Sequence, residues 1–344
     1  MTPGRGAALA AAVGVLVALV GLIGRAPPDP TPFEPHPPPR RLEPEAWPAG
    51  GAAALAHRGY PALIRHGSPA HDWAAAWSGI AQRADGVVLR QVWHSDQPQL
   101  VYSSAHGELG GETAMRALPA HTLATRTRVA ARPLTLGQLL RDAPNVARAR
   151  NGTVLYWQDD LAALGPEAAA SVDIEPLAIR EVDNAEVATL AWIGSAGAQT
   201  SAHYDIEHNL FAQVYGMKAF YIWPPSAHAS LRVFPTRHSL HRQSSLRGLP
   251  ESAHPPIYAT LSAGDVLYIP PYWPHHVIAR SRLSVSVSVW STSASGVKYA
   301  ELERLPLPWE AEWSHERVTV AATQARSRPY LTPIRSVILN IRSA

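Results

Sequence analysis

Two segments constrain this chain more than anything else in it. The first reads Thr200-Ser201-Ala202-His203-Tyr204-Asp205, and the second reads Gly264-Asp265-Val266-Leu267-Tyr268-Ile269-Pro270-Pro271-Tyr272-Trp273-Pro274-His275-His276. A His-x-Asp pair with a distant histidine is the ligand set of a mononuclear non-haem iron site. Two neutral imidazoles and a carboxylate then occupy one face of Fe(II) and leave the other open. Residues i and i+2 of a strand point the same way, so one short strand can aim both His203 and Asp205 at a single metal. The third ligand has to come from another strand, and His276 closes a stretch that reads as one. Its neighbour His275 is expected to point away and to be dispensable.

A lone His-x-Asp is common, so context decides. The apolar run Ala188 to Gly194 precedes the pair, and the patterned stretch Asn209 to Gly216 follows it. Both read as strands of a half-buried sheet. Gly264-Asp265 is a turn signal opening directly onto the strand that leads to His276. Metal binding by His203, Asp205 and His276, which are also the expected catalytic residues, is the better reading.

These residues resemble the Jumonji-C branch of the cupin superfamily of Fe(II)/2-oxoglutarate oxygenases. Within it they are most similar to the cupin-like protein hydroxylases typified by the asparaginyl hydroxylase that inhibits hypoxia-inducible factor. The likeness is specific from about Tyr156 to Trp290. The family motif Thr-x-x-His-x-Asp, followed by Asn, Phe-x-Gln and Lys, is matched by Thr200, His203, Asp205, Asn209, Phe211, Gln213 and Lys218. The resemblance implies that Lys218 pairs with the distal carboxylate of 2-oxoglutarate, helped by hydrogen bonds from Thr200 and Tyr156. Asn209 and Ser288 join the expected co-substrate set, Ser288 replacing a family Asn that reaches further. Tyr102 and the Arg242-Gln243-Ser244 run are similar to segments that meet the substrate, which makes Tyr102, Arg242 and Gln243 the expected substrate contacts.

The chemistry points the same way. The far carboxylate of a chelated dicarboxylate needs a cation deep in the barrel, and an ammonium on a long stem supplies a charge-assisted bond there. Lys218 is a rare charge in the apolar-aromatic stretch Phe211 to Pro225. An unpartnered buried Lys would be costly. The competing reading is a surface lysine at a strand end, and Asn209 reads equally as a satisfied core amide.

Composition narrows the alternatives. The chain has 344 residues, 46% of them hydrophobic, enough for one large domain with appendages. There is no cysteine, so disulfides, thiolate metal sites and cysteine nucleophiles are excluded. A net charge of +3 gives no nucleic-acid footprint, and no nucleic-acid partner is expected.

The expected fold is mainly β: a double-stranded β-helix (jelly-roll, cupin/JmjC) core with flanking helices and an N-terminal membrane segment. A short tail (1–6) leads into the apolar run Ala7 to Ile23, within 7–24, which reads as a signal anchor or a signal peptide. Ten prolines make 25–48 an extended spacer. Residues 49–174 form the N-terminal part of the catalytic domain, 175–292 the barrel and 293–344 a helical extension that supports a possible homodimer. Single-pass membrane attachment with a lumenal catalytic domain is expected, with secretion or lumenal release after signal cleavage as the alternative; Asn151-Gly152-Thr153 is a weak glycosylation signal consistent with a lumen.

Trp73, Trp77 and Ile80 lie at helical spacing in Ala70 to Ala81 and read as core packing, and a short helix capped by Thr135 is expected across Leu134 to Leu140. The stretch Ala227 to Pro256 reads as a substrate-covering insert, with His228, His238, His241 and His254 as solvated loop residues. The expected activity is hydroxylation of a side chain in a protein or peptide, using Fe(II), 2-oxoglutarate and O2. A JmjC lysine demethylase and a catalytically silent cupin used for binding are the alternatives.

Overall fold

The computed structural model describes residues 39–298, apart from 83, 96–97, 101–128, 150–152, 234–241, 245, 247 and 251. Strands dominate. In chain order they are β1 (Arg40–Arg41), β2 (Pro44–Ala46), β3 (Ala62–His66), β4 (Val88–Ser95), β5 (Gln99–Leu100), β6 (Val129–Thr135), β7 (Val154–Asp160) and β8 (Val187–Ser195). They continue with β9 (Gln199–Thr200), β10 (His208–Tyr215), β11 (Met217–Ile222), β12 (Ile257–Ser262), β13 (Val266–Ile269), β14 (His275–Ala279) and β15 (Leu283–Ser291). Helices are few: α1 (Gly51–Arg58), α2 (His71–Gln82), α3 (Leu136–Ala149) and the short α4 (Pro166–Ala170).

Two sheets face one another as in a jelly roll. One runs β1-β12-β11-β14-β9-β5, the other β2-β3-β13-β10-β15-β8-β7-β4-β6. Both draw on strands before residue 175, because a barrel confined to 175–292 would leave β12 and β13 with unpaired edges. β1 pairs with β12, and β3 pairs with β13.

Strand pleating sorts the side chains into two cores. On one face of the larger sheet, Leu155, Trp157, Ala191, Ile193, Leu210, Ala212, Val285, Val287 and Val289 are buried. They pack with Leu55 of α1, Trp73 and Trp77 of α2, and Leu136, Leu139 and Ala143 of α3. The aromatic residues of α2 are therefore core residues, as their spacing predicts. The opposite face forms the barrel interior, where Phe211, Phe220, Ile222, Ile257, Ala259, Leu261, Leu267, Ile269 and Val277 make a second cluster.

Helix α3 starts where expected but is longer. Thr135 Oγ1 accepts from the Gln138 amide at 3.1 Å and Gln138 Oε1 accepts from the Thr135 amide at 2.8 Å, a reciprocal capping box. The buried residues Leu136, Leu139 and Ala143 carry it past Leu140.

The membrane expectation is corrected. Among the described residues no helix is long and apolar enough to cross a membrane, so single-pass attachment and a membrane partner are unsupported. The Ala7 to Ile23 run on which that expectation rests lies outside the described residues, as do the proline spacer through Pro38, the sequon residues Asn151 and Gly152, and the C-terminal stretch beyond 298 with its expected helices and dimer contacts.

The chain passes from β10 in one sheet to β11 in the other at Gly216, which has a φ of +73°; a Cβ there would lie 2.1 Å from the carbonyl oxygen of Leu283. Gly197 also has positive φ, +86°, but its Cβ would meet nothing within 4 Å. In denaturant unfolding, Gly197→Ala should show backbone strain alone, about 1 kcal/mol, and Gly216→Ala about 3 kcal/mol or more, because strain and overlap add.

Candidate metal and co-substrate site

The site is built where the chain after β9 runs beside the start of β14. His203 donates its amide to the His275 carbonyl at 3.0 Å, and His275 donates its own to the His203 carbonyl at 2.7 Å. The two residues are thus directly opposed, and opposed residues of an antiparallel pair project to the same side. Their rings stand 4.3 Å apart between centroids. Asp205 completes the group: His275 Nε2 lies 3.8 Å from its Oδ2. One ligand atom from each of His203, Asp205 and His275 falls within 4.8 Å of the others.

His275 therefore replaces His276 in the expected ligand set. His276 faces the other side of β14, opposite Tyr221, with no exposed surface, and donates from Nε2 to Gln199 Oε1 at 3.2 Å. Burial, then the neighbouring His203, pushes it down to about 3. The reason is the phase of the pleat, which shifts every side chain to the opposite face when it slips by one residue.

In both histidines of this candidate cluster Nδ1 carries a proton. A carbonyl can only accept, so Nδ1–H of His203 donates to Ser201 O at 2.7 Å and Nδ1–H of His275 donates to Trp273 O at 3.0 Å. His275 Nε2 is left facing Asp205. Burial, followed by the His203 charge, lowers His275 to about 4, so it is a neutral donor at ordinary pH. Backbone carbonyls that fix the far nitrogen of a ligating histidine are the usual outer support of a metal site. Asp205 is held in turn by Asn209, whose Nδ2 donates to Oδ2 at 3.1 Å.

The expected co-substrate residues converge on the barrel interior. Cross-strand register places Lys218 opposite Ala279 and Leu261, and Ile222 opposite His275, so Lys218 and His275 share one inner face. Asn209, Phe211 and Gln213 of β10 face inward beside Trp290, Ser288 and Ser286 of β15. Tyr156 lies opposite Gly194, where a Cβ would come within 3.1 Å of its ring; only glycine leaves the ring this much room.

Lys218 is 3% exposed, which excludes the surface reading. Its ammonium donates to Ser286 Oγ at 2.7 Å and lies 5.0 Å from the centre of the Phe211 ring. Burial alone lowers it to about 7. Thr200 Oγ1 and Asn209 Oδ1 are buried without a hydrogen-bond partner, while Ser288 Oγ accepts from Trp192 Nε1 at 2.9 Å. An underpaired buried ammonium and, elsewhere in the buried set, an unsatisfied hydroxyl are groups that an anionic ligand would relieve.

The expected substrate residues lie at the edge of this group. Gln243 is buried and bridged to His203, so its side chain leaves the backbone toward the same side as the ligand imidazoles. Arg242 has positive φ (62°), a buried Nε without a hydrogen-bond partner, and its Nη1 3.9 Å from Glu207 Oε2. Burial, then the Asp205 charge, raises Glu207. Sequence reasoning passed over Glu207, although its place two residues beyond the His-x-Asp pair was a usable signal. Tyr102 lies outside the described residues, as do His238 and His241. His254 is half-buried, and His228, expected to be solvated, is only 6% exposed.

The chain is similar in sequence to several known proteins. Lysine-specific demethylase JMJ31 of Arabidopsis thaliana is 38% identical over 109 residues, 29% of this chain and 20% of that protein. HSPB1-associated protein 1 of Homo sapiens is 34% identical over 119 residues, 31% of this chain and 24% of that protein. The tRNA wybutosine-synthesizing protein 4 of Neurospora crassa is 32% identical over 109 residues, 28% of this chain and 9% of that protein. The chain thus matches no more than about a quarter of the length of these relatives. The model of the cupin-like domain family matches residues 58–295, which is more than half of the chain, and this protein belongs to that family.

Proposed function

We propose that the protein is an Fe(II)- and 2-oxoglutarate-dependent oxygenase that hydroxylates a side chain of a protein or peptide. The observation carrying this reading is that one inner barrel face presents His275 beside His203 and Asp205 and, further along the same sheet, an underpaired buried Lys218. Two imidazole nitrogens and a carboxylate suit Fe(II), and an ammonium with hydroxyl neighbours suits the far carboxylate of a keto diacid. His203, Asp205 and His275 would hold the metal, while Lys218, Thr200 and Tyr156 would hold 2-oxoglutarate with Ser288 close by. When bound, this pair with O2 supplies an oxidant for a C–H bond as 2-oxoglutarate becomes succinate and CO2. Asn209 keeps the Asp205 carboxylate oriented, and the apolar lining from Phe211 to Val277 keeps water from the buried end.

Arg242 and Gln243 support a polar substrate side chain such as an amide, because together they offer donors and an acceptor. Demethylation of lysine is the second reading, favoured by the similarity to the lysine-specific demethylase of Arabidopsis thaliana. Incubation with a peptide library under 18O2 separates the two. Hydroxylation leaves one labelled oxygen in the peptide; release of a methyl group as formaldehyde with no label retained would select demethylation. Absence of any 2-oxoglutarate turnover would leave a binding module.

The ligand set is tested by mutation. His275→Ala should weaken Fe(II) binding and turnover by more than about a hundredfold, since loss of an outer support alone costs 10–100-fold. His276→Ala should instead keep metal affinity and lower stability by about 1–3 kcal/mol, the cost of leaving Gln199 unpaired beside a small void. Calorimetric metal titration with thermal melts reads both. The reverse pattern would make His276 the ligand.

For Lys218, the Met variant should bind metal normally but need about tenfold to a hundredfold more 2-oxoglutarate, matching a lost charged hydrogen bond of about 1.5–3 kcal/mol. Its pH behaviour has a definite sign. The ammonium, lowered to about 7 when the pocket holds no anion, is raised again by a carboxylate partner. Binding above pH 7 should therefore take up a proton, and affinity should fall with rising pH until the bound-state value is passed. Titrations in two buffers of different ionisation enthalpy measure that uptake; its absence, or its persistence in Lys218→Met, would remove Lys218 from the pocket.

A further inference from the structure

Within the insert between β11 and β12, His228 is buried without solvent as a reason to be polar. It follows the short 3-10 turn Pro225–Ala227, and its ring stacks on Tyr204 at 4.6 Å and 20°. Tyr204 is the residue between the metal-site pair His203 and Asp205. The Nε2 of His228 is 2.8 Å from the carbonyl oxygen of Tyr272. A carbonyl only accepts, so Nε2 carries the proton and donates. Burial holds the ring at about 4, so it is neutral with Nδ1 bare.

Tyr272 is itself unusual. It is an aromatic residue at a φ of 65°, a conformation that costs about 1–3 kcal/mol and persists only where the surroundings enforce it. Its amide donates to the Asp205 carbonyl at 2.8 Å, and its ring lies 5.6 Å from that of Tyr204. Three residues later comes His275. The unusual backbone at Tyr272 thus lies directly ahead of β14 and its two consecutive histidines.

We propose that His228 is a positioning residue of the metal site: its Nε2–H pins the Tyr272 carbonyl, and with it the phase of β14 that sets His275 against His203 and Asp205. The inference rests on the metal-binding reading above. It assigns His228 no contact with metal or substrate.

Glutamine and asparagine variants separate positioning from packing. Gln Nε2 reaches the place of His Nε2, whereas Asn Nδ2 reaches only the place of Nδ1; both lose the stack on Tyr204 alike. Cobalt(II) alone is titrated into the metal-free full chain, following its d–d absorption, and the metal-free proteins are melted in parallel. His228→Gln should bind cobalt within about threefold of the parent and His228→Asn about tenfold or more weaker, the effect of one hydrogen bond. Both metal-free melts should be lowered, the Asn variant's further because the Tyr272 carbonyl loses its donor. Equal cobalt affinity of the two variants overturns the inference. If the Asn variant does not fold, the Gln variant decides alone: a loss of more than about tenfold with an intact melt overturns the role of the donor. A parent chain that binds no cobalt removes the metal-site reading, and the inference falls with it.

Discussion

The pair of backbone hydrogen bonds joining His203 to His275 is the constraint on which the rest of the site depends. It is a two-residue ladder between a segment that is barely a strand and the first residue of β14. Because it is reciprocal, it fixes register as well as proximity, and register in a pleated chain decides direction. Both imidazoles leave their backbones on the same side, each tied through Nδ1 to a carbonyl two residues earlier. A donor set of this kind is prepared by the fold before any metal arrives. Flexible histidines would lose rotamer freedom on binding; these have already lost it.

Lys218 shows the same preparation at the other end of the inner face. Most of that face is apolar, yet it carries an ammonium whose described hydrogen-bond partner is the neutral Ser286. The fall of Lys218 to about 7 is the chemical record of that cost. A fold selected for stability alone would place an apolar residue there, since replacing an underpaired buried charge is commonly neutral or favourable. Keeping the charge makes sense if an anionic group completes it in the working state.

The parts of this site that were legible in the sequence are those that depend on spacing along the chain. The i, i+2 relation of His203 and Asp205, the inward alternation of Asn209, Phe211 and Gln213, and the isolated charge of Lys218 all follow from local pattern. What the sequence did not disclose is phase. Alternation says that His275 and His276 face opposite ways, but not which of them faces in. The pairing of His275 with His203 and with Ile222 settles it, just after Tyr272 leaves the ordinary backbone regions inside the run Pro270-Pro271-Tyr272-Trp273-Pro274. Nothing in the residue types marks the position, and the hydrogen bonds that Tyr272 makes reach the distant residues Asp205 and His228. His228 was illegible for a related reason: a single buried histidine in a polar, aperiodic stretch has no pattern to distinguish it from its solvated neighbours. The barrel boundary was blurred too, since β1 and β3 reach the sheets from far upstream.

The insert between β11 and β12 consequently has a different meaning from that of a loose cover. Its described ends are sewn into the site. Ser244 donates its amide to Ala202, Tyr204 donates to the Arg242 carbonyl, and Gln243 is bridged to His203. On the other side, His228 grips Tyr272 and Val233 bridges Ser244. The segment bearing His203 is thereby flanked by β14 on one edge and by the insert on the other, so that a protein with no long strand at this point still has three chains in register. A substrate group that met Arg242 or Gln243 would press on the same backbone that orients His203. Substrate recognition and ligand geometry would then be mechanically joined through a few backbone hydrogen bonds, each worth about 1 kcal/mol.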